Sequence, residues 1–97
     1  MVLSIHHPRY VALRDHLKAL RQDAGLTQIE IAARLKLDQS YVSKIERGER
    51  YVDVLFYLDW CQACNVKASK GIKQLALLTA IEPKGAGLEL AKGRVLV

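Results

Sequence analysis

Apolar residues recur along the chain at helical spacing. Tyr10, Leu13, Leu17, Leu20 and Ala24 follow one another at alternating steps of three and four, which lines one side of a helix. Pro8 can open that helix, since a proline at the first helical position loses no needed donor, and Gly25 closes it. Next comes TQIEIAARLKLDQSYVSKIERG, Thr27 to Gly48. Thr27 with Glu30 three residues on has the form of a capping box. Ile29, Ile31, Ala32 and Leu35 are spaced to bury one side of a short helix. Leu37 fills a turn, Asp38 is placed to cap a second short helix, and Val42 and Ile45 give that helix an inward stripe. Gly48 supplies its stop. Asp53 caps a fourth helix, Val54 to about Cys64, which turns Leu55, Leu58 and Cys61 inward, or else Phe56 and Trp60. Asn65 is placed as its C-cap. A fifth helix is predicted from Ala68 to about Ile81, with Ile72, Leu75, Ala76 and Leu78 as its apolar side. Gly71 weakens its first turn, and Glu82-Pro83-Lys84-Gly85 ends it.

The predicted fold is all-α, five helices, with a helix-turn-helix at helices 2 and 3. Residues 1–82 form the domain and 83–97 a C-terminal tail, read as disordered, as a short hairpin, or as a dimer contact. What remains on the outside of the third helix is Gln39, Ser40, Tyr41, Ser43, Lys44 and Arg47. That face is rich in hydrogen-bonding groups and holds no acid, whereas a merely solvated face commonly mixes in Glu or Asp.

The stretch from about Tyr10 to Asn65 resembles the Cro and phage-repressor type of helix-turn-helix, the XRE-like family. The resemblance rests on Arg21, on Gly25-Leu26-Thr27-Gln28, on Ile31-Ala32, on the run Gln39 to Gly48, and on Arg50. Residues 49–53 leading into Phe56-Tyr57-Leu58-Asp59-Trp60-Cys61 look like the small single-domain bacterial regulators of that family. One position departs: the family usually has Gly in the turn, and this chain has Lys36. A non-Gly residue in a left-handed conformation costs about 1 kcal/mol, so the turn is expected to be strained or differently shaped.

The resemblance implies sequence-specific binding to double-stranded DNA. The N-terminal residues of the second motif helix enter the major groove, which makes Gln39, Ser40, Ser43 and Lys44 the candidate base readers. Gln pairs with adenine through two hydrogen bonds, Lys with guanine, and Ser with several partners. Gln28, at a positive helix end, suits a phosphate, as do Arg47 and Arg50 beside the groove. Tyr41 is assigned to the phosphates too, with contact to a thymine methyl or shielding of the core edge as its other readings. Arg21 and Glu46 are implied to be an ion pair joining the first helix to the recognition helix.

Charge changes this picture little. The net charge is +5, but residues 1–65 hold nine Lys/Arg against eight Asp/Glu, and residues 66–97 hold six against two. DNA binding by the motif therefore rests on where its basic side chains sit and not on bulk charge. Cys61 and Cys64 form a CxxC inside an apolar helical pattern, with no second cysteine pair. Structural zinc takes four ligands, and His6, His7 and His16 would complete a set only if folding happened to gather them. Buried packing is expected in place of zinc or redox chemistry, and no metal or cofactor is expected. No phosphate loop, HExxH or paired-acid pattern appears, so no enzymatic activity is expected. No apolar run approaches the ~20 residues of a membrane span, and the start MVLSIHHPRY lacks the layout of a secretory signal. The expectation is a cytoplasmic transcriptional regulator. A repressor is favoured because so short a chain leaves no room for a sensor domain. It should bind as a homodimer on a pseudo-palindromic operator. The competing reading is an antitoxin-like interaction module of the same fold, whose main partner is a protein.

Overall fold

The computed structural model describes residues 4–80, and these form five helices. They are α1 (Pro8–Asp23), α2 (Gln28–Leu35), α3 (Gln39–Glu46), α4 (Val54–Ala63) and α5 (Ala68–Leu78). Among the described residues there is no strand. α5 ends at Leu78, with Thr79 as its C-cap, short of the expected end at about Ile81. The tail from 83 and the Glu82–Gly85 break lie outside the described residues.

Local chemistry sets the helix starts. The His7 ring accepts from the Arg9 N–H, and Pro8 stands in the first turn, where no donor is missed. At α2 the capping box closes both ways: Thr27 Oγ1 accepts from the Glu30 N–H at 3.1 Å, and Glu30 Oε1 accepts from the Thr27 N–H at 2.8 Å. Asp53 accepts from the Phe56 N–H. Asp38 differs from expectation: it occupies the cap position of α3, but its side chain makes no capping bond.

The ends of α1 to α4 share one device. Each is followed by a residue in the left-handed region: Gly25, Lys36, Gly48 and Asn65. After each, an N–H reaches back five residues, at 3.1 Å for Leu26 to Arg21, 2.9 Å for Leu37 to Ala32, 2.8 Å for Glu49 to Lys44 and 2.9 Å for Val66 to Cys61. These bonds satisfy carbonyls that a helix end leaves open. Lys36 therefore takes the left-handed conformation expected of a Gly at this turn, at φ 60° and ψ 44°.

Leu17, Ile31, Val42, Ile45, Trp60 and Cys61 form the centre of the core. Trp60 is fully buried, and its indole N–H donates to the Leu17 carbonyl at 2.9 Å, which pins α4 to α1 and satisfies the one polar atom of the ring. α2 packs on α3 and α4, and α1 on α3 and α5. Gly71 is the point where α5 meets α4. A Cβ there would stand 2.7 Å from Tyr57 Oη and 3.2 Å from Cys61 Sγ, so the residue that weakens the helix locally is the one that lets it dock. Beside it, buried His16 Nε2 lies 2.7 Å from Tyr57 Oη. Burial pushes the His16 pKa down, the Gly71 backbone opposing it, and pushes the Tyr57 hydroxyl and both cysteine thiols up, Cys64 to about 11.

Several expected inward residues are not inward. Ile29 is 69% exposed, because the buried stripe of α2 centres on Ile31, Ala32 and Leu35. At about 100° per residue Ile29 falls more than a quarter-turn away from that centre. On α4 neither alternative holds whole. Tyr57, Trp60 and Cys61 are buried and Phe56 is half-buried, while Leu55 and Leu58 are exposed. On α5 Leu75 is half-buried, but Ile72, Ala76 and Leu78 are exposed, because Gly71 and not the apolar stripe makes the closest approach. No helix among the described residues is long and apolar enough to cross a membrane.

Candidate nucleic-acid interface

α3 is held between α2 and α1 by Val42 and Ile45, which are almost fully buried. That burial turns the other side of the helix outward. Gln39 and Ser40 are exposed in its first turn, with Ser43 and Lys44 half-buried one turn on.

Beneath this surface lies a chain of hydrogen bonds that begins in the core. Arg21 donates to Glu46 through Nε at 2.7 Å and through Nη2 at 3.0 Å, and its Nη1 donates to the Leu26 carbonyl at 2.8 Å. The Arg21 and Glu46 side chains are only 10% and 3% exposed. Gln28 Nε2 donates to the same carboxylate, Oε1, at 2.9 Å. Gln39 Nε2 then donates to Gln28 Oε1 at 2.7 Å. The buried ion pair thus fixes Gln28, and Gln28 fixes the first residue of α3. Glu46 accepts three charge-assisted or amide bonds, which suits a buried carboxylate.

An amide has two N–H donors and one oxygen with two lone pairs. After these contacts Gln39 retains one N–H and its oxygen, side by side and exposed. Gln28 retains one N–H, and its own backbone N–H is among those a helix start leaves without an intrahelical partner. Sequence reasoning paired Arg21 with Glu46 and singled out Gln28 and Gln39 as DNA contacts, but missed the hydrogen bonds that link the two glutamines to Glu46. The available signal was that Gln28 and Gln39 each follow directly on a helix cap.

The flanking groups are arranged differently from one another. Arg47 donates to Glu49 at 2.9 and 3.2 Å and to Ser43 Oγ. Glu49 follows α3 and places an acid at the edge of an outward face that otherwise has none. The Arg47 contact raises its already high pKa and lowers that of Glu49. Both are exposed, so this pair is weak and salt-sensitive. The Tyr41 ring packs edge-on to Phe56, with centroids 6.2 Å apart, and the Arg50 guanidinium lies 5.8 Å from the Tyr41 ring centre. Tyr41 thereby closes the core edge and orients Arg50. Cys61 and Cys64 are free and buried, and no cluster of three or more His, Cys, Asp or Glu able to hold a metal occurs among the described residues.

A helix-turn-helix family model matches residues 17–70, more than half of the chain. The chain belongs to the XRE-type helix-turn-helix family. A protein from Pseudomonas syringae pv. tomato described as XRE-family like is 43% identical, with a TM-score of 0.69 over 77% of this chain and 92% of that one. The restriction-modification controller protein C.AhdI from Aeromonas hydrophila is 33% identical, with a TM-score of 0.57 over 63% of this chain and 92% of that one. Among curated proteins, the HTH-type transcriptional regulator y4dJ of Sinorhizobium fredii, itself uncharacterized, is 43% identical over 47 residues. The match takes in 48% of this chain and spans 61% of that relative's length. The family is one of DNA-binding transcription regulators.

Proposed function

We propose that the chain binds duplex DNA sequence-specifically as a homodimer on a pseudo-palindromic operator, and that it represses transcription from the cytoplasm without catalysing any reaction. The hydrogen-bond chain from Arg21 through Glu46 and Gln28 to Gln39 carries this reading. A glutamine with one N–H already engaged and its remaining N–H and oxygen held outward matches the donor–acceptor edge of adenine in the major groove. Fixing that side chain before binding removes an ordering cost of ~0.5–1.5 kcal/mol. Ser40, Ser43 and Lys44 face the neighbouring bases. Gln28, Tyr41, Arg47 and Arg50 sit where the DNA backbone passes, and a phosphate at Arg47 displaces Glu49. A domain of this type spans one half-site, so two copies related by a two-fold axis read half-sites about one turn apart. Repression needs only occupancy of the site, which the domain supplies unaided.

Selection of bound sequences from random duplex DNA tests the proposal. Enrichment of an inverted repeat with half-site centres about 10 base pairs apart is expected. Recovery of random sequence at moderate salt would count against sequence-specific binding.

A further inference from the structure

The outer side of α3 carries a second set of hydrogen bonds, separate from the one that begins at Arg21. Arg47, the C-cap of α3, reaches back one turn, and its Nη1 donates to Ser43 Oγ. The same guanidinium donates Nε and Nη2 to the two Glu49 oxygens, at 2.9 and 3.2 Å. One edge of the fork thus holds a carboxylate and the remaining arm holds a serine. The Arg47 hydrogen bond above all, then the charges of Arg47, Lys44 and Arg50, lower the Glu49 pKa, against a desolvation that raises it. Three cations therefore surround one oxyanion position. Arg meets carboxylate and phosphate with the same fork, so a phosphate can take Nε and Nη2 in place of Glu49. That exchange leaves Nη1 and its bond to Ser43 untouched.

A serine hydroxyl has one O–H donor and two lone pairs. Arg47 occupies one lone pair with a charged donor. Among the described residues Ser43 makes no other side-chain hydrogen bond, so its proton is not turned back onto the helix, as serine protons often are. The guanidinium sharpens the polarity that remains. Its charge attracts an acceptor and repels a second N–H donor, and an oxygen that accepts a hydrogen bond donates its own proton more strongly. In the major groove guanine presents two acceptors, thymine one, and adenine one beside a donor, while cytosine presents only a donor.

We propose that Arg47 is a positioning residue for Ser43: it commits the Ser43 hydroxyl to donate, so that Ser43 reads an acceptor and rejects cytosine on the strand it faces. The inference rests on the DNA reading above and assigns a base class to one position of each half-site. It also ties affinity to sequence, because the guanidinium that binds a phosphate is the one that orients the reader.

The test begins with operators selected from random duplex DNA by the full-length wild type. An enriched motif establishes sequence-specific binding independently of Ser43. Wild type, Ser43→Ala and Arg47→Lys are then bound to single-base variants of that motif at two salt concentrations. At one position of each half-site the wild type should favour guanine over cytosine by about two- to tenfold, the range of a single hydrogen bond. Ser43→Ala should erase that preference and leave those at the other positions, which also shows that α3 is intact. Arg47→Lys keeps a cation for the phosphate, so the salt dependence should hold. A point charge on a flexible stem does not hold a serine and a phosphate together in fixed geometry. Arg47→Lys should therefore lose most of the preference at the Ser43 position and at no other. Three results would overturn the inference: Ser43→Ala with wild-type preference at every position, Arg47→Lys with wild-type preference at the Ser43 position, or a wild type that favours cytosine there. The second would leave Arg47 a phosphate contact alone. A selection that enriches no motif sinks the DNA reading and this inference with it. With a motif enriched, those three results strike only the coupling of Arg47 to Ser43 and leave the DNA reading standing.

Discussion

Glu46→Ala removes the acceptor on which three donors converge, Arg21 Nε, Arg21 Nη2 and Gln28 Nε2. The guanidinium that remains is 10% exposed and keeps only the Leu26 carbonyl. Breaking a buried pair by removing one partner costs ~3–5 kcal/mol, against ~0–1 kcal/mol for an exposed pair. With both side chains buried the loss should be ~3 kcal/mol or more, which for a domain of this size lowers the Tm by about 12–24 °C. Urea unfolding of wild type, Arg21→Met, Glu46→Leu and the double variant gives the coupling energy. Each single variant should be strongly destabilised. The double variant should recover much of the loss, because a buried pair replaced by apolar groups of similar size is often neutral. Recovered stability should not restore DNA reading, since Gln28 no longer has its anchor and Gln39 is no longer fixed. A coupling energy below ~0.5 kcal/mol would refute the reasoning that the pair behaves as a buried one. So would a double variant with wild-type base preference, which would show that Gln39 needs no positioning from the core.

Two further outcomes follow from the junction of α1, α4 and α5. Gly71→Val should detach or displace α5, because its Cβ would press on Tyr57 Oη and Cys61 Sγ. A loss of ~1–3 kcal/mol by overpacking is expected, read by urea unfolding, with Gly71→Ala milder; a more stable Gly71→Val would contradict the packing. His16 titrates below its ordinary value because burial disfavours the cation. The unfolded chain then binds a proton at higher pH than the fold does, so stability is lost as pH falls from about 6.5 through the folded value. Wild type should lose more stability than His16→Gln as the pH is lowered through that range; parallel pH profiles would argue against a buried neutral His16.

The two motif helices were legible because each is short, bounded and periodic. Thr27 with Glu30, Gly25 and Gly48 punctuate them, and Ile31, Ala32, Val42 and Ile45 leave little choice of inward face. α4 was harder because VLFYLDWC is apolar almost all round, and a pattern with no polar side cannot select which side is buried. The core chose Tyr57, Trp60 and Cys61, and left Val54, Leu55 and Leu58 outside. Gly71 carried no readable signal of docking, since its part depends on Tyr57 of another helix. The same holds for His16 against Tyr57, 41 residues apart, and for Gln28 against Gln39, 11 apart. Residue types and spacing within a helix announce a helix face; a hydrogen bond between helices is announced only once their packing is known.

Reading of DNA by α3 is tested head-on by binding to a panel of single-base operator variants, at several salt concentrations, with wild type, Gln39→Ala, Lys44→Ala and Arg50→Ala. Removing a good base contact costs ~1–3 kcal/mol at one base pair. Gln39→Ala and Lys44→Ala should therefore each flatten the preference at one defined position of each half-site. Arg50→Ala should weaken binding to every sequence. It should also make the slope of log affinity against log salt shallower by about one for each phosphate no longer neutralised. Unchanged base preferences in both Gln39→Ala and Lys44→Ala would contradict the claim that α3 reads the DNA.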